Sequence, residues 1–168
     1  MDIVSHGLWG GLAFGRKNKK SFWTAAAFGI APDFLAFGPF FVSIFLGLRK
    51  LPDIRQEPPD PSLIPSYVSN VYDVTHSLLI FLAVFFIIRL IFKKPLWEMS
   101  AWGLHILTDI PTHSHTFFPT PFLWPVSGFE VNGIPWSHPV ILFPNIILLA
   151  VLYAWFFLLK KRAKSATI

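Results

Sequence analysis

Residues 139–159 read P-V-I-L-F-P-N-I-I-L-L-A-V-L-Y-A-W-F-F-L-L, with no charge anywhere, and Lys160, Lys161 and Arg162 follow at once. A run of about 20 apolar residues is what an α-helix needs to cross the hydrocarbon of a bilayer. A basic cluster directly after such a run marks the cytoplasmic end of a span. The stretch therefore predicts a membrane helix, and it sets the solvent in which the rest of the chain is read.

Working outward, a second apolar run covers 76–92 and ends at Lys93 and Lys94, and a third covers 22–48 behind Arg16, Lys17, Lys19 and Lys20. The only charge in that third run is Asp33. Two shorter segments, 1–15 and 96–111, are moderately apolar. No basic region precedes the first of them, and His6 lies within it, so it does not read as a secretory signal. The 168 residues are 54% hydrophobic and 14% charged, with 19 Phe and 7 Trp. That is far below the charge content of a soluble domain. These features predict one integral membrane domain over 1–168, all-α, a bundle of about five membrane-embedded helices at about 1–15, 22–48, 74–92, 96–111 and 139–159. The first and fourth are too short to cross alone and are expected to pack inside the bundle.

The basic clusters also predict a topology. If 16–20, 93–94 and 160–164 are cytoplasmic, the loops 49–73 and 112–138 and the N-terminus lie outside, and the C-terminus lies on the cytoplasmic side of the cell membrane. Arg89 sits close enough to a helix end to snorkel to the same side. The net charge of +5 is then a property of cytoplasmic loops, so no nucleic-acid partner is expected. Pro52, Pro58, Pro59, Pro61 and Pro65 make 49–75 read as irregular. With no cysteine in the chain, any metal site must use His, Asp, Glu or water.

Chemistry concentrates in H-I-L-T-D-I-P-T-H-S-H, residues 105–115. His105 and Asp109 are four apart, so on a helix they lie one turn above each other and can share a divalent ion. Pro111 predicts a break, with His113 and His115 on a turn beyond it. Helical rise then gives each polar intruder a height above its nearest basic anchor. His6, Asp33, His76, His105 and Asp109 stand roughly 15, 20, 25, 16 and 22 Å above those anchors. Five groups from four segments thus share one slab about 10 Å thick in the middle to outer half of a bilayer. Ionisable groups at that depth are costly and usually paired or functional. Plainer roles exist one at a time: Asp33 as a cap after Pro32, Asp73 and Ser77 as caps of the 76–92 span, His113 as a solvated loop residue. One shared ion accounts for the set together.

The phrases H-G-L-W-G (6–10), A-P-D (31–33), T-H-S (75–77), the His105/Asp109 pair and P-T-P-F-L-W-P (119–125) resemble the YdjM-like family of inner-membrane metal-dependent hydrolases. The resemblance covers nearly the whole chain and is best over 100–145. Tyr72 and Asp73 depart from it, standing where an Arg-Gly type pair is expected.

A more distant resemblance is to zinc-dependent phospholipase C and related single-strand nucleases. In those enzymes the ligands run His, Asp, His, His-x-x-x-Asp and a further His six residues on. The same order here is His6, Asp33, His76, His105, Asp109 and His115. That resemblance implies one zinc on Asp33, His76, His105 and Asp109, with Asp109 bridging to a second ion near His6 and His115 belonging to another. His138 departs from the pattern, because Leu142 stands where a Glu is expected four residues later.

The expected cofactor is therefore one or two zinc ions, with manganese as the other choice. A metal-activated water would hydrolyse a phosphoester in a lipid or lipid-linked substrate of the membrane, with Asp33 as general base and Asp73 in reserve. The competing expectation is a non-enzymatic membrane metal-binding protein, a transporter or a sensor.

Overall fold

The structure is a computed structural model that describes residues 1–50 and 61–165. Among these residues it is all-helical: α1 (Ile3–Phe14), α2 (Lys19–Phe45), α3 (Ser66–Thr75), α4 (Leu78–Phe92), α5 (Ser100–Thr112) and α6 (Pro139–Ser165). Short 3-10 turns at Pro61–Leu63 and Trp97–Met99 precede α3 and α5. An isolated bridge between Ser114 and Phe117 is the nearest approach to a strand. Two helices, α2 and α6, are long and apolar enough to cross a membrane, or three if α3 and α4 together form one broken span. The apolar α1 is shorter than a span.

α1 and α2 form a tight antiparallel hairpin. Asp2 caps α1 through the backbone amide of Ser5, and Asn18 caps α2 through that of Ser21. Small residues then let the two backbones meet. A Cβ on Gly10 would stand 2.7 Å from the Ala25 carbonyl oxygen, and one on Gly29 would stand 2.4 Å from that of His6. Such small-residue contacts are how helices pack where lipid removes the hydrophobic incentive to associate. α5 lies against both helices, with the Ala101 methyl 2.9 Å from the Gly10 position.

Side-chain polarity is inverted relative to a water-soluble protein. The buried set includes Ser5, His6, Asp33, Thr75, His76, Ser77, His105, Asp109 and Thr112. Outward-facing positions carry Phe34, Phe41 and Phe45 on α2, Ile87, Leu90 and Phe92 on α4, and Phe143, Ile147 and Val151 on α6. Apolar exposure of that extent on whole helical faces marks contact with a non-aqueous phase. The protein is accordingly membrane-associated, with its polar groups turned inward.

α6 is fastened to α1 by polar contacts. The Asn145 side chain accepts from Trp9 Nε1 and donates to Ser5 Oγ, both at 2.8 Å, and Tyr153 donates to the Leu8 carbonyl at 2.8 Å. Interhelical hydrogen bonds of this kind contribute about 0.6–1.7 kcal/mol in membrane proteins. Asn145→Leu is expected to lower the apparent unfolding temperature in detergent by about 2–6 °C. An unchanged melting curve would show that α6 is held by lipid and packing alone.

The fold departs from the sequence expectations in two places. The expected 74–92 helix is two helices, α3 and α4, bent by 58° at a break over His76 and Ser77. The expected irregular loop 49–73 is partly helical, since α3 begins at Ser66; its residues 51–60 lie outside the described residues. Pro65 occupies the cap position with extended backbone, and Val68, Tyr72 and Thr75 fall on one buried face. The prolines upstream mark a loop, while the last ten residues of 49–75 have helical periodicity. Two further boundaries also moved: α5 starts only after the 3-10 turn, and α6 continues past the 160–162 cluster.

Candidate metal centre

Three segments deliver the central group. Asp33 comes from the middle of α2, which runs through Pro32 and Pro39 without breaking. His76 sits at the α3–α4 break, and His105 and Asp109 project from one face of α5. Asp33, His76, His105 and Asp109 each offer one ligand atom, and those atoms all lie within 4.8 Å of one another. His76, His105 and Asp109 are fully buried, and only Asp33 keeps some exposure, with 13% of its side chain accessible.

The tautomers follow from the second ring nitrogens. His105 Nδ1 is 2.7 Å from the Gly29 carbonyl oxygen, and a carbonyl can only accept, so that nitrogen carries the proton. His76 Nδ1 is likewise 3.1 Å from the Tyr72 carbonyl, which also accepts the His76 amide at 2.8 Å, and 3.1 Å from Thr75 Oγ1. With the protons on Nδ1, the two Nε2 atoms turn inward and face each other at 2.9 Å. Asp109 Oδ2 stands 3.2 Å from His105 Nε2 and 3.7 Å from His76 Nε2. Asp33 Oδ1 stands 3.4 and 3.8 Å from the same two atoms, His76 first. Four electron-rich atoms converge with no proton assigned among them. A cation at their centre resolves the repulsion, and backbone carbonyls that fix the outer ring nitrogens are what metal-binding histidines ordinarily have.

Ring packing holds the imidazoles in place. Tyr72 stacks on His76 with centroids 3.7 Å apart, and His6 stacks on His105 at 3.6 Å. The Trp102 indole donates to the Thr75 carbonyl at 2.6 Å, pinning the end of α3 against α5. Ser77 donates to the Trp124 carbonyl at 2.5 Å, and the Leu78 amide donates to that of Phe122 at 3.0 Å, so the loop after α5 closes over the break.

Asp109 has a second side. Its Oδ1 accepts from the Met1 amino group, lies 2.9 Å from His6 Nε2 and stands 3.7 Å from His113 Nε2. His6 is 2% exposed, and neither of its ring nitrogens makes a hydrogen bond. His113 Nδ1 is 2.9 Å from both the Phe118 carbonyl and the Tyr72 hydroxyl, while its Nε2 is 3.1 Å from the Met1 amino group on the Asp109 side. The two carboxylate oxygens of Asp109 therefore face two different groups of nitrogens.

Of the residues singled out from sequence, Asp33, His76, His105 and Asp109 come together, and His6 joins them from the Oδ1 side of Asp109. His115 does not. Its side chain is exposed, its Nε2 is 3.4 Å from the Glu130 carbonyl, and its amide bonds Asn132. Asp73 faces away from the group as well, half-buried on α3, with no hydrogen bond or ion pair to it among the described residues. His113, read as a loop residue, takes the place beside Asp109. Its signal was present in the sequence, because His105, Asp109 and His113 repeat every four residues, as neighbours on one helix face do. Pro111 obscured it, since the helix continues through that proline to Thr112 and keeps the register. Tyr72 was legible only as a departure from a family pattern.

The chain was compared with protein families, curated proteins and solved structures, and nothing matched in any of the three.

Proposed function

We propose that the protein is a membrane-embedded, metal-dependent hydrolase acting on a phosphoester in a lipid or lipid-linked substrate. The observation that carries this reading is the facing pair of Nε2 atoms, His76 and His105, 2.9 Å apart between two carboxylates. A donor set of two imidazoles and two carboxylates without sulfur suits zinc, with manganese next. His6, His113 and Asp109 would be the residues to hold a second ion, on the side of Asp109 where the Met1 amino group also lies. The sequence resemblance to zinc-dependent phospholipase C points the same way for His6.

A bound divalent ion would supply an acidified water and polarise a phosphoryl oxygen. The chain's own groups would do the rest. Asp33 turns Oδ1 toward the imidazoles, while its Oδ2 accepts no hydrogen bond from a described residue. That oxygen is free to take a proton from a water in the centre, the role of a general base. Asp33 is also the one partly accessible member, so substrate would approach from its side, past the lipid-facing Phe34 of α2. His76, His105 and Asp109 are sealed from bulk water, which strengthens every charge interaction at the centre. On this reading Asp73 has no part.

A non-enzymatic metal-binding protein shares the same ligands, so the test must separate binding from turnover. Purified protein is expected to carry at least one zinc or manganese per chain and to hydrolyse phospholipid or lipid phosphate in mixed micelles. Asp33→Asn is expected to weaken metal binding, since its Oδ1 belongs to the ligand group, and at saturating metal still to lose hydrolysis by about 10²–10⁴-fold, the usual share of a general base. Metal bound with no hydrolysis of any lipid phosphoester by the native chain would favour the binding protein. No metal at all would remove both.

A further inference from the structure

One face of α2, away from the metal centre, forms an open groove of about 450 Å³ lined by Lys20, Trp23, Thr24, Ala27, Phe28 and Ala31. These positions recur at three and four residues, so they make one stripe along the helix. Thr24, Ala27 and Ala31 are small and form the floor; Trp23 and Phe28 are the walls. From Lys20 to Ala31 the stripe runs about 16 Å, half of the roughly 30 Å hydrocarbon thickness and thus the depth of one leaflet.

Its chemistry changes along its length. The Ala31 end is apolar throughout. At the other end stands the Lys20 ammonium, which forms no ion pair among the described residues, with Arg16, Lys17 and Lys19 close by in the chain. The same end is the N-terminus of a 27-residue helix, where backbone amides and the helix dipole favour an anion. The Glu98 carboxylate accepts from the Ser21 hydroxyl at 2.6 Å and keeps its charge, against which the turn carries four cations, Arg16, Lys17, Lys19 and Lys20. Cationic mouth, apolar trough and leaflet depth together describe an acyl chain topped by a negative headgroup.

We propose that this groove binds an anionic phospholipid from the leaflet on the basic side, its phosphate at Lys20 and one acyl chain laid along Thr24, Ala27 and Ala31. The alternative occupant of a small-residue face is the same face of a second copy. Two copies in one membrane would share orientation and depth, so Lys20 and its basic neighbours would meet their own images. Like charges so placed repel, which selects a lipid over a self-dimer. The proposal is independent of the metal centre.

The test is native mass spectrometry of the full chain released from mixed micelles of phosphatidylglycerol and phosphatidylcholine with matched chains. The expected result is one retained phosphatidylglycerol per chain, in preference to phosphatidylcholine. Lys20→Ala should weaken that binding about fivefold, as loss of one basic residue at a membrane surface does, while Lys94→Ala should not. Ala27→Leu, which fills the exposed trough without touching the bundle interior, should remove the adduct. Equal retention of the two lipids, or phosphatidylglycerol binding unchanged by both Lys20→Ala and Ala27→Leu, overturns the proposal. A dimer that Ala27→Leu dissolves overturns it in favour of the second copy.

Discussion

Asp109→Ala is expected to empty the centre of metal and to abolish hydrolysis, the largest functional loss that one substitution in this chain can produce. The reason is the division of labour between its two oxygens. Oδ2 completes the group with Asp33, His76 and His105, while Oδ1 is what His6 and His113 face. A four-ligand zinc site is worth about 10–16 kcal/mol, so one ligand accounts for roughly 3–4 kcal/mol, or about 10²–10³-fold in affinity. Both ions would be weakened at once. Metal content by mass spectrometry and competition with a chelator would read the change directly. A monodisperse elution profile and a retained helical spectrum would show that the fold survives. Metal retained at the native level would refute the bridging role of Asp109.

Gly29→Ala is expected to give the largest structural loss for the smallest chemical change. The added methyl would stand 2.4 Å from the His6 carbonyl oxygen and 3.0 Å from its carbon, which are backbone atoms that cannot rotate aside. α1 must move off α2. Overpacking of this kind costs about 1–3 kcal/mol, or about 2–12 °C in apparent unfolding temperature for a chain of this size. The same shift carries His6 away from Asp109 and disturbs the Gly29 carbonyl that fixes the His105 tautomer, so metal affinity should fall with stability. Gly38→Ala is the control. Its Cβ would meet the Phe34 ring at 3.6 Å, an ordinary contact, and alanine suits the helix better. If both substitutions were equally harmless, the close approach of α1 and α2 would not be what positions His6.

The meeting of the polar groups was legible in the sequence because helical rise converts residue number into relative height. His6, Asp33, His76, His105 and Asp109 share a level by that arithmetic, and they meet in the fold. Azimuth was not legible in the same way. Whether Asp33 turns toward His76 depends on α2 running unbroken through Pro32, and whether His113 reaches Asp109 depends on α5 continuing through Pro111. Local rules for proline favour a break in both cases. Neighbouring helices override them here, as they often do in membranes. The placement of His115 failed for a related reason. A six-residue spacing from Asp109 fixes a direction only while the chain is helical, and the helix ends at Thr112. The closeness of α1 to α2 could be suspected from its glycines, but only the fold shows which carbonyl each one admits.

The break at His76 and Ser77 has a further consequence. A continuous helix transmits rotation: inserting one residue turns everything beyond it by about 100°. Here α4 takes its angular phase from the Ser77 cap and from the Phe122 carbonyl, not from α3. The 58° bend therefore works as a mechanical isolator between α3, which ends at the polar group, and the apolar α4. The outer surface of α4 is free to vary with bilayer thickness and composition, while His76, held by Tyr72, Thr75 and Trp102 on the near side of the break, keeps its aim.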